Sequence, residues 1–276
     1  MNPNKSHSAS PVYLIDELWR RRSLIWQMAR REVAGRYKGS IIGLGWSFFN
    51  PVLMLAVYTF VFSVVFKARW GVSEDESRID FALLVFVGLI VHTFLSEVLN
   101  RASDIILNNS NYVKKVVFPI EVLPVVAAGS ALFHAMVSFL VLLIALLTVN
   151  GGLHWTIVYA PLILVPIVLV TVGVSWILAS LGTFLRDIGQ TVGIVTTIML
   201  FLAPIFYPIK AIPEKYHIFI LLNPLTFVIE ELREVVIFGN KPDLMGLGIY
   251  WLICCVIFFL GFVWFQKTRK AFADVL

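Results

Sequence analysis

From Gly39 to Phe66 the chain runs 28 residues without a charge, broken only by Asn50–Pro51. A helix rises about 1.5 Å per residue and the hydrocarbon core of a bilayer is about 30 Å thick, so about 20 apolar residues suffice to cross it. The run opens with a basic, glycine-punctuated turn holding Arg36, Lys38, Gly39, Gly43 and Gly45. A dense basic segment before a crossing marks its cytoplasmic end. This stretch therefore predicts a transmembrane helix entered from the cytoplasm, and it orients everything after it.

Five further apolar segments are predicted to cross: Phe81–Leu99, Pro119–Val149 (starting near Leu123), Ile157–Phe184, Ile188–Ile205 and Leu244–Phe265. Of the residues, 59% are hydrophobic and 14% are charged, against about 25% charged in soluble domains. The expected fold class is an all-α integral membrane protein with six transmembrane helices. Residues 1–38 form a cytoplasmic tail and interface helix, and 39–276 form the transmembrane domain. Six crossings put both termini on one side. That side holds 15 of the 22 lysines and arginines and the other holds 7, which places both termini in the cytoplasm. The net charge of +5 fits cytoplasmic loops and anionic headgroups, so no nucleic-acid partner is expected. Cys254 and Cys255 are neighbours in an apolar run, where helical geometry turns them apart.

Three segments outside the crossings carry further information. From Tyr13 to Tyr37, Leu14, Leu18, Leu24, Ile25 and Met28 recur with Trp19 and Trp26, and arginines fill the other positions. This predicts a basic amphipathic helix in the cytoplasmic interface, with a possible break into two. The loop Asn100–Phe118 is 19 residues, long for a plain connector. A short helix there would lie parallel to the membrane. Residues 201–240 hold two apolar stretches, Ile212–Leu222 and Pro224–Phe238, among five prolines or glycines at 204, 208, 213, 224 and 239. Each is too short to span. Re-entrant helices are expected, sheltered by protein or a water-filled cavity, the alternative being an amphipathic loop lying on the membrane.

The chemistry of an engine is missing. No Gly-Lys pair occurs, hence no Walker A loop, and no HExxH motif or spaced Cys/His metal set is present. No catalytic residue and no metal ligand are assigned. Buried acids and bases drive membrane pumps, yet His134 is the sole ionisable residue deep in a predicted span. Any active transport would draw energy from a partner. Tyr58, Phe62 and Phe66 recur at i, i+4 and i+8, so they share one helix face. Flat aromatic faces suit sugar rings, and tyrosine adds a hydroxyl. Core or lipid packing is the commoner use of such a stripe.

RYKGSIIGLGWSFFNP entering the first span, FLRDIGQ between the fourth and fifth, APIFYPI ending the fifth and LLNPLTFVIEELRE after it resemble the type-2 ABC exporter permeases. The likeness is closest to the branch exporting O-antigen, capsule and teichoic acid, and it covers nearly the whole chain in order. The resemblance implies a homodimer in a bacterial inner membrane, with two copies of a separate cytoplasmic ABC ATPase beneath. ATP and Mg would sit on that partner, and no cofactor is implied here. The substrate implied is a lipid-linked glycan. The interface helix would be Leu14–Arg36. Asp104, Ile105 and Ile106, in a coupling helix reaching Val113, would contact the ATPase, as would Arg186 and Asp187. Tyr58, Phe62, Phe66, Phe201, Phe206 and Tyr207 would line the substrate channel. Arg36, Lys38, Lys114 and Lys115 would hold the lipid pyrophosphate at the entrance. Two other functions compete: a permease for a drug or small lipid, and an integral membrane transferase built on Glu230, Glu231 and Glu234.

Overall fold

The chain is described by a computed structural model over residues 10–65, 78–115 and 118–272. Every regular element among the described residues is helical. Among the described residues, five helical stretches are long and apolar enough to cross a membrane: Gly43–Phe62, Phe81–Ala102, Val122–Val149, Trp155–Phe184 and Leu244–Ala271.

The amphipathic segment does break in two, into α1 (Pro11–Arg20) and α2 (Arg22–Arg36). Arg21, at φ −91° and ψ 5°, makes the bend. The first span begins with a tight turn at Gly43–Gly45, continues as α3 (Trp46–Thr59), and widens into π turns over Phe60–Val65. Helix α4 (Arg78–Ala102) follows. The connector after it is not the single Asp104–Val113 helix expected. It is a turn, a 3-10 segment at Leu107–Asn109, and the short helix α5 (Ser110–Lys115). Burial explains the difference: Ile106 is fully buried and Ile105 nearly so, which pulls the turn inward. Helices α6 (Val122–Asn150) and α7 (Ala160–Phe184) complete the first four apolar crossings.

The fifth predicted crossing, Ile188–Ile205, is shorter in the structure. Helix α8 (Ile188–Leu202) has 15 residues, about 22 Å of rise. It stops because Ala203 precedes Pro204, and a residue before proline is pushed out of the helical region; Ala203 sits at φ −78° and ψ 148°. The Ile212–Leu222 stretch holds only a five-residue helix, α9 (His217–Leu221). Helix α10 (Pro224–Arg233) is capped by Asn223, whose side chain accepts from the Leu225 N–H at 3.0 Å. It runs on as π turns to Gly239, whose φ of +71° ends the helix. Helix α11 (Leu244–Thr268) closes the fold.

Helix α4 is the hub: 78% of its apolar window is buried, against 11% for the first span. It packs on α3, α6, α7, α8 and α10. His92 links it to α8, with Nε2 at 2.9 Å from the Thr196 carbonyl. The closest helix pair is α7 with α11, brought together by glycine. A Cβ on Gly261 would stand 2.0 Å from the Gly173 carbonyl oxygen. Small residues allow this approach where no hydrophobic force drives helices together. Similarly, Gly182 on α7 seats the Ser103 carbonyl. Gly261→Ala is expected to destabilise the fold by about 1–3 kcal/mol through overpacking. Gly248→Ala, with nothing near its Cβ, is expected to be neutral or better. Thermal midpoints of the detergent-solubilised variants check this, and equal midpoints would contradict it.

Candidate functional site

Arg36 and Tyr58 line the same cleft, about 360 Å³, between the end of α2 and helices α3, α4 and α6. Proline shapes its wall. Pro51 has no N–H, so the Ser47 carbonyl loses its helical donor; one turn earlier, the Ser47 hydroxyl donates to the Leu44 carbonyl at 2.6 Å. Asn50, exposed, faces the cleft beside them. On the α6 side, the Tyr37 hydroxyl lies 3.4 Å from His134 Nδ1. At the charged end, Arg36 Nη1 donates to Glu97 Oε1 at 2.7 Å. Arg101, one turn along α4, reaches the same oxygen at 3.7 Å and pairs with Glu32 of α2. The result is an alternating chain, Arg36–Glu97–Arg101–Glu32, that ties α2 to α4 twice. Lys38 is exposed in the turn just beyond Arg36. Lys114 and Lys115 end α5, and their side chains lie outside the described part of the structure.

A second cluster gathers four of the predicted channel residues. Phe62 stacks on Phe206 with ring centroids 6.0 Å apart, and Phe201 lies 6.2 Å from Phe206. The Tyr207 hydroxyl donates to the Phe201 carbonyl at 2.6 Å. Phe81, not anticipated, joins at 5.3 Å from Phe62. The π turns begin between Tyr58 and Phe62, so the expected single stripe divides: Tyr58 goes to the cleft and Phe62 to the aromatic cluster. Phe66 lies outside the described residues.

What fixes that cluster is a residue sequence reasoning missed. Arg233 has a side chain only 2% exposed. Its Nε and Nη2 donate to the Leu84 carbonyl at 3.0 and 2.9 Å. Nη2 also reaches Ile205 O at 3.0 Å, and Nη1 reaches Pro204 O at 2.6 Å and Glu230 Oε1 at 2.7 Å. All five N–H donors of the guanidinium are used. The signal was available: Arg233 is the one arginine or lysine between Lys215 and Lys241, placed among Glu230, Glu231 and Glu234 in an otherwise apolar helix. The neighbouring glutamates do not converge on one point. Glu231 accepts from the Asp243 N–H and Glu234 from the Asn240 side chain.

At the end of the bundle holding α2, Asp104, Arg186 and Asp187 are exposed, whereas Ile105 and Ile106 are turned into the core. The two turns are neighbours. A Cβ on Gly189, just after Asp187, would stand 3.7 Å from the Asp104 carboxylate. Three exposed charged groups from two neighbouring turns thus lie close together.

Residues 23–237 match the family described as ABC-2 type transporter. The chain belongs to that family. Its similarity extends to two curated proteins named "O-antigen export system permease protein RfbA". The one from Myxococcus xanthus is 25% identical over 265 residues, 95% of this chain and 99% of that protein. The one from Klebsiella pneumoniae is 27% identical over 256 residues, 92% and 95%. The "Polysialic acid transport protein KpsM" of Escherichia coli is 23% identical over 249 residues, 87% and 92%. Membership and the apolar helices together make this ABC-2 type transporter chain a multi-pass membrane protein. The matched region contains the cleft, the aromatic cluster and Arg233. Arg233→Lys, which keeps the charge but offers a smaller, non-planar set of donors, is expected to cost about 2–4 kcal/mol by stranding buried carbonyls. A thermal midpoint within a degree of the unmodified protein would contradict the clamp.

Proposed function

We propose that this chain is the transmembrane subunit of an ABC exporter that moves a lipid-linked, O-antigen-like polysaccharide across the bacterial inner membrane. Two copies form the path, and two copies of a separate cytoplasmic ABC ATPase drive it, carrying the ATP and Mg. Both termini face the cytoplasm. Helix α8 and the turn after it make the fifth of six crossings, and the α9–α10 region folds back from the external side to shape the mouth. The observation that carries the reading is the meeting of Phe62, Phe201 and Phe206 from two different elements, in a chain whose relatives are named for O-antigen and polysialic acid transport. Aromatic faces support sugar rings without fixing any one sugar, which suits a polymer that must keep moving.

Arg36 and Lys38 stand where the first span begins and would meet the pyrophosphate of the lipid carrier. Asp104, Arg186 and Asp187 form the ATPase contact. Ile105 and Ile106 support it from beneath. ATP binding closes the ATPase pair, which pushes α2 and the Asp104 turn. The first span, the least buried, then separates from its neighbours and opens the path.

Replacing Tyr58 and Phe62 together with leucine is expected to reduce glycan display on the cell surface about tenfold at equal membrane abundance, since aromatic contacts contribute about 0.5–1.5 kcal/mol each. Unchanged display would remove the aromatic path. Undiminished export of a small apolar compound by a chain that never displays glycan would favour a drug or lipid permease instead.

A further inference from the structure

Arg36 is the cation best placed to greet an anionic headgroup at the cleft, yet its guanidinium is already occupied. Its Nη1 lies 2.7 Å from Glu97 Oε1. The two partners differ in setting: the Arg36 side chain is 50% exposed and that of Glu97 only 16%. The arginine can therefore leave at little cost, whereas a bare carboxylate at that depth would be expensive. The structure provides for this. Arg101 stands 3.7 Å from the same Glu97 oxygen, on the same helix at i+4, and is itself shared with Glu32. When Arg36 departs, Glu97 keeps a cation.

We infer that Glu97 is a built-in competitor for Arg36: a diphosphate headgroup binds the cleft by exchanging with the Glu97 carboxylate, and Arg101 takes up the carboxylate that is released. This rests on the reading of the substrate as a lipid diphosphate, and adds to it a residue that sets how tightly the headgroup is held. The logic is that of a carrier. A cleft with a free arginine would hold a doubly charged headgroup too firmly to pass it on, because charge-assisted bonds to phosphate are among the strongest available. An internal carboxylate lowers the net affinity without removing the cation. The exchange also has a mechanical consequence. Arg36 is the last residue of α2 and Glu97 lies on α4, so headgroup binding removes one of the two ties between those helices and leaves the Arg101–Glu32 tie in place.

The test uses the full-length chain in phosphatidylcholine nanodiscs, with farnesyl diphosphate as a lipid diphosphate and inorganic pyrophosphate as the free anion. Glu97→Gln is expected to tighten farnesyl diphosphate roughly three- to tenfold, the range for removal of a partly buried ion-pair competitor. Glu97→Asp keeps the charge but withdraws it from Arg36, and is expected to tighten binding in the same direction by less. In the Arg36→Ala background, Glu97→Gln is expected to give no gain. Equal affinity in Glu97→Gln and the unmodified protein, or a gain that persists without Arg36, would overturn the competition. A gain for inorganic pyrophosphate as large as for farnesyl diphosphate assigns the site to the anion alone and overturns the lipid assignment. The rate at which a guanidine-specific glyoxal reagent labels Arg36, read by mass spectrometry, needs no substrate. It is expected to rise in Glu97→Gln. If it rises while no variant binds either diphosphate, the substrate reading has failed and the ion pair stands. If it does not rise, the ion-pair competition itself has failed.

Discussion

The buried guanidinium of Arg233 answers the hardest demand this sequence makes. A backbone polar group buried away from water needs a hydrogen-bonding partner. The segment after α8 cannot supply its own, because Pro204, Pro208 and Pro213 lack N–H groups and break the ladder. Arg233 provides donors from across the fold to the Pro204 and Ile205 carbonyls, and anchors itself on Leu84 of α4. Glu230 partly offsets its charge. One side chain thus joins α10, the end of α8 and the hub helix. With Ile205 held against Gly88, the next residue, Phe206, meets Phe62. The aromatic cluster is in this sense a consequence of the clamp.

Rigidity is unevenly spread, and the pattern bears on movement. Helices α7 and α11 touch backbone to backbone at Gly173 and Gly261. At the end holding α2, Arg269 of the last turn pairs with the buried carboxylate of Glu121, whose carbonyl accepts the Trp176 indole N–H at 2.9 Å. Those contacts weld α6, α7 and α11. Among the described residues, the first span has no equivalent. Little of it is buried, and its lower half borders an open cleft. Elements with few buried contacts open at the lowest free energy, so α3 is the part of this frame best suited to move while the rest stays put. The ion chain from Arg36 to Glu32 sits where such a movement would be felt by α2.

The apolar crossings were legible because the bilayer imposes one rule, length without charge, that a sequence displays openly. What stayed hidden depended on contacts between distant residues. Glu97 is 61 positions from Arg36, and nothing local announces the pair. The Asp104–Val113 helix was expected from the family resemblance, but burial of Ile106 and the seat offered by Gly182 prevailed over it. The predicted Ile188–Ile205 helix is longer than α8 because hydropathy continues through Ala203–Ile205; the proline rule, applied to Ala203, would have ended the helix correctly. The aromatic stripe rested on α-helical periodicity, which failed where the π turns began, and Tyr58 and Phe62 parted. Arg233 stands among three glutamates in the sequence, and nothing local shows that its guanidinium turns inward to the carbonyls of Leu84, Pro204 and Ile205.

The account stands on this chain being a passive wall whose motion is powered from outside it. Nucleotide turnover in proteoliposomes tests that most directly, comparing the purified chain alone with the chain co-purified with its ATPase. The account predicts no ATP hydrolysis by the chain alone, and hydrolysis by the complex that rises when lipid-linked glycan is supplied. ATP hydrolysis by the isolated chain, or glycan movement by it without any ATPase, would contradict it.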